Sequence, residues 1–101
     1  MTRILCAKIS DVLYDELQLA VVNSRETETA LVKRALQSIL SECVSTGKVE
    51  PVVIDSHLRH KLCVRLDDKT YDTLKYCCTL TKLYKSELLR AAIWRAVEES
   101  G

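Results

Sequence analysis

Helix-breaking residues are scarce in this chain. Of 101 residues one is proline and two are glycine, and one of those glycines is the last residue. The interior breakers, Gly47 and Pro51, fall together in residues 44–58, which marks that stretch as a linker. Its Val49, Val52, Val53 and Ile54 are too apolar for a free tether, so the linker is expected to lie against the body. No stretch approaches the roughly 18 consecutive apolar residues of a membrane span. Arg3 and Lys8 interrupt the short N-terminal apolar run and no small-residue cleavage pattern follows, so the reading is an intracellular protein with no signal peptide. Histidine is limited to His57 and His60, and there is neither a glycine-rich phosphate loop nor a nucleophile motif. An enzyme, a cofactor and a small-molecule substrate are therefore not expected. The five cysteines (Cys6, Cys43, Cys63, Cys77, Cys78) lack C-x-x-C spacing, and the adjacent pair Cys77-Cys78 would point about 100° apart on a helix. They read as small, buried or half-buried thiols in a reducing compartment, not as metal ligands.

The chain is 48% hydrophobic and 29% charged, the profile of one soluble globular domain. A core of this size is modest, which is compatible with self-association. Net charge is only +1, but its distribution is uneven. Arg3, Lys8, Arg59, His60, Lys61 and Arg65 cluster in or beside two short segments, while Glu98 and Glu99 lie at the far end. Such a patch on a nearly neutral protein can attract a polyanion; ordinary solvated charges are the competing reading.

Those two segments alternate apolar residues with others, the period of a strand with one buried face. In residues 3–9, Leu5, Ala7 and Ile9 oppose Ile4, Cys6 and Lys8. In residues 60–66, Leu62, Val64 and Leu66 oppose Lys61, Cys63 and Arg65. Lone strands leave their edges unpaired, so the two are expected to pair with each other. Each is followed by two helical patterns. Ser10-Asp11 opens a helix whose stripe is Leu13, Tyr14, Leu17, Ala20 and Val21 and which ends near Asn23-Ser24. Thr27 caps the next, with Ala30, Leu31, Ala35, Leu36, Ile39 and Leu40 on one side, ending near Cys43. Asp67-Asp68 opens a third through Tyr71, Leu74, Cys77 and Cys78 to about Leu80. After a turn at 81–84 the last helix carries Leu88, Leu89, Ala92, Ile93, Ala96 and Val97, with Trp94 toward the edge of that stripe as surface packing or an oligomer contact.

The two halves align without a gap at an offset of 57. Residues 6–43 and 63–100 share eight identities: Cys6/Cys63, Asp11/Asp68, Tyr14/Tyr71, Asp15/Asp72, Leu17/Leu74, Leu31/Leu88, Ala35/Ala92 and Glu42/Glu99. Replacements such as Lys8/Arg65, Arg25/Lys82, Thr29/Ser86 and Lys33/Arg90 keep their character. The chain is thus an internal repeat, strand–helix–helix twice, with residues 1–43 and 59–101 as the repeats.

A basic alternating strand followed by two helices, with Ser or Thr in the first turn of the second, resembles the ribbon-helix-helix family of the Arc and Met repressors. The match is closer in the second half, at Leu-Cys-Val-Arg-Leu-Asp-Asp-Lys-Thr-Tyr-Asp-Thr-Leu (62–74) and Lys-Ser-Glu-Leu-Leu-Arg-Ala-Ala-Ile (85–93). The first half departs at Asn23 to Glu28, which lacks the family's common glycine and apolar pair at that turn. Tandem single-chain versions are encoded by archaeal filamentous viruses, and this chain is similar to those transcription regulators, which would act in the host cytoplasm. The resemblance implies a mainly α fold with a two-stranded antiparallel ribbon and a pseudo-twofold axis. The ribbon would enter the DNA major groove, which presents a distinct pattern for each base pair.

On that template the base-reading residues are Ile4, Cys6 and Lys8 from one strand and Lys61, Cys63 and Arg65 from the other. Cys6 would lie opposite Cys63, Lys8 opposite Lys61, and Ile4 opposite Arg65; the opposed cysteines would be open to oxidative crosslinking without unfolding. Arg65 is the strongest candidate reader because its planar fork can contact guanine O6 and N7 together. The N-termini of the second helices would hold phosphates, with Arg25, Thr27 and Thr29 on one side and Lys82, Lys85 and Ser86 on the other; plain helix capping is the competing role for Thr29 and Ser86. Unequal halves imply an imperfect palindrome in double-stranded DNA, with self-association on DNA as a further expectation. The rival function is an antitoxin-like protein-interaction module on the same fold, to which the apolar linker and Trp94 would be suited.

Overall fold

The computed structural model describes residues 3–49 and 58–100. Their order is β1 (Arg3–Ser10), α1 (Asp11–Ser24), α2 (Glu28–Thr46), β2 (Leu58–Leu66), α3 (Asp68–Thr81) and α4 (Lys85–Ser100). The two strands form one antiparallel sheet, with Cys6 opposite Cys63, Lys8 opposite Lys61 and Ile4 opposite Arg65. The strands thus pair with each other as the alternation suggests, in the register that the family resemblance implies. At its far end the register shifts: His60 faces Ile9 but Leu58 faces Ser10, which leaves Arg59 without an opposite number. Such a bulge bends the strand and raises its twist where it meets α1.

Each helix begins and ends for a local reason. The Ser10 hydroxyl accepts from the Leu13 N–H at 3.2 Å, the Thr27 hydroxyl from Ala30 at 3.1 Å, and an Asp67 carboxylate oxygen from Thr70 at 3.0 Å. These bonds satisfy N–H groups that the first turn leaves without helical acceptors. Helix α4 starts differently. The Tyr84 carbonyl accepts from Leu88, and the Glu87 carboxylate reaches back to the Tyr84 N–H at 3.1 Å, half of a capping box. Helices α1, α2 and α3 each stop at a left-handed residue: Arg25 (φ 59°), Gly47 (φ 73°) and Lys82 (φ 62°). Helix α2 thus outruns the expected end near Cys43 by three residues. Gly47 is the position that turns left-handed without a steric cost, and the Thr46 hydroxyl donates back to the Glu42 carbonyl at 2.8 Å within the last turn. Residues 44–46, read as linker, are helix, and Leu58 belongs to β2. Val49 packs against the core as expected; Val52, Val53 and Ile54 lie outside the described residues.

One core serves the whole chain. Leu5, Ala7, Ile9, Leu62, Val64 and Leu66 form its sheet side and are all buried. Below them α2 and α4 contribute Leu31, Val32, Leu36, Ile39, Leu88, Leu89 and Ile93, with Leu13 and Leu17 from α1 and Leu74 and Cys77 from α3. Among the described residues the core holds no polar or charged residue, so burial there needs no compensating hydrogen-bond network. Helix α1 packs more extensively on α4 than on α2, and α2 more on α3 than on α1. Each half's helices are thus completed by the other half, and neither half has a core of its own. No helix of the described residues is long and apolar enough to cross a membrane.

Candidate functional site

Side-chain alternation gives the sheet two unlike faces. Its inner face is the apolar roof of the core; its outer face carries Ile4, Cys6, Lys8, Lys61, Cys63 and Arg65, in the arrangement inferred from the sequence. Ile4 is 62% exposed, Lys8, Lys61, Cys63 and Arg65 are exposed, and Cys6 is half-buried. Among the described residues no ion pair with a carboxylate involves Lys8, Lys61 or Arg65. Lys8 and Lys61 stand directly opposite one another, an arrangement that costs roughly 0.2–1 kcal/mol in a strand pair. Beneath Lys8 the strand is held from below: Arg90 of α4 donates through Nε to the Lys8 carbonyl at 2.8 Å.

Cys6 and Cys63 are joined in a disulfide, with Cα atoms 4.1 Å apart. This corrects the reading of all five cysteines as thiols. The register sets these two residues directly opposite each other on the outer face, which brings their sulfurs together across the strand pair. The remaining three behave as expected: Cys43 and Cys77 are buried and Cys78 is half-buried. Burial pushes the Cys77 thiol up to about 12, with the neighbouring Cys43 adding to the effect; burial likewise raises Cys78. Among the described residues no three His, Cys, Asp or Glu side chains converge as a metal site.

The flanks of the sheet hold the remaining candidates, and here the two ends differ. At one end Arg3 lies over the Tyr71 ring at 5.5 Å from its centroid and pairs with Asp68 at 3.8 Å. Lys85 donates to the Tyr71 hydroxyl at 2.8 Å and lies 4.9 Å from the ring centroid; Lys75 sits at 5.8 Å. The Lys85 hydrogen bond lowers the Tyr71 hydroxyl from its usual value, and the charges of Lys85, Arg3 and Lys75 add to it. At the other end His60 stacks on Tyr14 with centroids 4.2 Å apart and directs Nε2 to Asp11 at 2.6 Å. His60 therefore sits at the core margin, as its inward parity suggests. Gln18 donates to the Glu28 carboxylate at 2.9 Å. Arg25 and Lys82 are the exposed left-handed residues that end α1 and α3. Thr27 caps α2, whereas Thr29 and Ser86 are the second residues of α2 and α4.

Sequence reasoning did not assign Arg3, Tyr71 or Lys75 to the flank, nor Arg90 to the support beneath Lys8. The Tyr14/Tyr71 and Asp11/Asp68 identities were the available signal, but which cations gather on each ring depends on tertiary packing. Comparison of the chain with protein-family models, curated proteins and solved structures finds no match.

Proposed function

We propose that this chain is a tandem ribbon-helix-helix protein that binds double-stranded DNA as a transcription regulator, laying its two-stranded sheet in the major groove. The observation that carries the reading is the outer face of the sheet. It is exposed and, among the described residues, holds three cations and no carboxylate, two of the cations facing each other at a cost that a polyanion would relieve. A groove about 12 Å wide admits such a ribbon. In this reading the two strand–helix–helix units are related by a pseudo-twofold axis through Cys6 and Cys63. Arg65, Lys8 and Lys61 contact base edges, and Ile4 meets an apolar group such as a thymine methyl. The helix starts at Thr27–Thr29 and Lys85–Ser86, with Arg25 and Lys82 behind them, face the flanking phosphates. The preferred site is an imperfect palindrome, and no catalytic step is required. A regulator of the kind encoded by archaeal filamentous viruses fits this description.

The test is binding to a pool of random-sequence duplexes over a salt series, followed by selection and footprinting of the bound fraction. The expected result is an affinity that falls steeply with salt, each neutralised phosphate contributing about 0.9 to the log–log slope. Absence of binding at low salt refutes the proposal. A protein-interaction module is the second reading. The exposed Val12, Leu19 and Val22 along α1, with Trp94 on α4, favour it; under that reading a partner protein binds while duplex DNA does not.

A further inference from the structure

Of the five cysteines only Cys63 is exposed; Cys6 and Cys78 are half-buried, and Cys43 and Cys77 are buried. Cys63 is also one half of the disulfide at the centre of the sheet's outer face, bonded to Cys6 of the facing strand. Side chains two residues apart on a strand share a face. Lys61 and Arg65 therefore flank Cys63, while Ile4 and Lys8 flank Cys6, with Lys8 opposite Lys61 and Ile4 opposite Arg65. Lys8, Lys61 and Arg65 thus surround the disulfide at about 7 Å, the spacing of neighbours along a strand and across its diagonals. Among the described residues none of the three is paired with a carboxylate. The other side of the sheet is closed by Leu5, Ala7, Leu62 and Val64, all buried, so the bond can be approached only from its cationic side.

That setting governs the chemistry of the bond. A disulfide is opened by a thiolate, itself an anion, which attacks one of the two sulfurs. Cations around the bond concentrate an anionic reagent beside it, and they stabilise the thiolate that departs. Exposure selects the sulfur that is attacked. Cys63 is open to solvent and Cys6 is half-buried, so attack falls on Cys63 and Cys6 leaves, next to Lys8.

We infer that the Cys6–Cys63 bond is a thiol-exchange site selective for small thiols that carry further negative charge, and that Cys63 is the residue that takes the mixed disulfide. In the first step the reagent thiolate bonds to Cys63 Sγ and the Cys6–Cys63 bond breaks. Its electron pair leaves on Cys6 Sγ, which takes a proton from water. A second reagent thiolate then attacks the reagent's sulfur in the mixed disulfide and releases Cys63 as a thiolate. Two reagent thiols are thereby oxidised to a small disulfide, and the protein disulfide is reduced to two thiols. The favoured reagents bear carboxylates, which the three cations receive; amine-bearing thiols are disfavoured. No duplex takes part, so the reaction is independent of the DNA-binding reading above.

The experiment uses the oxidised full chain and three small thiols of different charge: mercaptoacetate, mercaptoethanol and cysteamine. The rate of opening is read by acid quenching and mass spectrometry. Each rate is divided by that of the same thiol with uncharged hydroxyethyl disulfide, which removes differences in intrinsic nucleophilicity. The corrected rates are expected to fall in the order given, by about tenfold per unit of reagent charge at about 0.01 M salt. They should converge to within about twofold at about 1 M salt, where the screening length is about 3 Å. Lys61→Gln/Arg65→Gln, verified as folded by circular dichroism, should shrink each step to about twofold at low salt. Peptide mapping of the quenched intermediate should find the reagent on Cys63. Because that intermediate can reclose, Cys6→Ser and Cys63→Ser give a second reading: glutathione disulfide, which is anionic, should modify Cys6→Ser faster than Cys63→Ser. Corrected rates that are equal for the three thiols and insensitive to salt overturn the inference. So does an order unchanged in Lys61→Gln/Arg65→Gln, or a reagent carried mainly on Cys6.

Discussion

The disulfide across the sheet offers the sharpest quantitative test of how this fold is held together. Cys6 and Cys63 are 57 residues apart in sequence, so their bond closes a loop that includes α1, α2 and the linker. Tying a loop of about 57 residues removes unfolded-state entropy worth about 4 kcal/mol at 25 °C in the chain-entropy account. Both side chains point away from the core, so replacing them with serine opens no cavity, and the packing loss that accompanies a core substitution is absent. The repulsion between Lys8 and Lys61 is at most about 1 kcal/mol, too small to cancel the crosslink. Oxidised wild type, wild type in excess dithiothreitol, and Cys6→Ser/Cys63→Ser should be compared by urea unfolding and thermal melting. The reduced protein and the double variant should coincide and lie below the oxidised protein. With about 4–8 °C per kcal/mol for a domain of this size, the fall in Tm is expected to be on the order of 15–30 °C. The urea slope m should be smaller for the oxidised chain, whose unfolded state remains crosslinked. Equal midpoints for oxidised protein and double variant would falsify the entropic argument, and a peptide map without the Cys6–Cys63 linkage would remove its premise.

The remaining predictions concern the two faces of the sheet and the buried thiols. Leu36→Ala, at a fully buried position, should cost about 2–5 kcal/mol, whereas Ile4→Ala on the outer face should stay within about 0.5 kcal/mol in urea unfolding; equal effects would mean the two faces are misassigned. On the proposed DNA-binding reading, Arg65→Ala should leave stability unchanged, weaken DNA binding by about 1–3 kcal/mol and relax preference at one base position; uniform weakening across sequences would make Arg65 a phosphate contact instead. The Cys77 thiol titrates near 12 in the folded chain, against about 9 for an unperturbed thiol. Above the unfolded value the unfolded state loses the proton that the native state keeps, so stability should be intact below pH 9 and decline as pH rises toward 12. The contribution of this thiol to the slope should approach about 1.4 kcal/mol per pH unit, so the decline should be shallower in Cys77→Ala. Alkylation of the native protein at pH 8 should reach half-buried Cys78 before the buried Cys43 or Cys77, and rapid labelling of all three would contradict that burial.

Much of the fold was legible because it obeys local rules. Period-2 alternation in residues 3–9 and 60–66 assigns both strand faces, and the opposition of Cys6 with Cys63 is what the family resemblance implies for the aligned repeats. Ser10, Thr27 and Asp67 announce their helices by chemistry that acts within three residues. Two features were not legible for the opposite reason. The bulge at Ile9/Ser10 inserts Arg59 into β2, and no residue type there demands it. The cation cluster on Tyr71 joins Arg3 to residues 68 or more positions later, a proximity that only the packed helices create. The extension of α2 to Thr46 was within reach, since Gly47 is a natural C-terminal stop; treating Gly47 and Pro51 as one breaker drew the boundary too early.

The pairing of β1 with β2 also bears on the order in which the molecule assembles. Its contacts bridge separations from 48 residues, between Ser10 and Leu58, to 63, between Arg3 and Leu66. The helical turns, by contrast, close within four residues. Closing long loops costs entropy before any contact repays it, so the sheet is placed late on the folding route and its amides are among the early ones to exchange when the reduced protein fluctuates. The sheet is then the part of the chain whose persistence depends most on the bond at its centre, and hydrogen exchange of residues 4–8 and 61–65 with and without reductant would read that dependence directly.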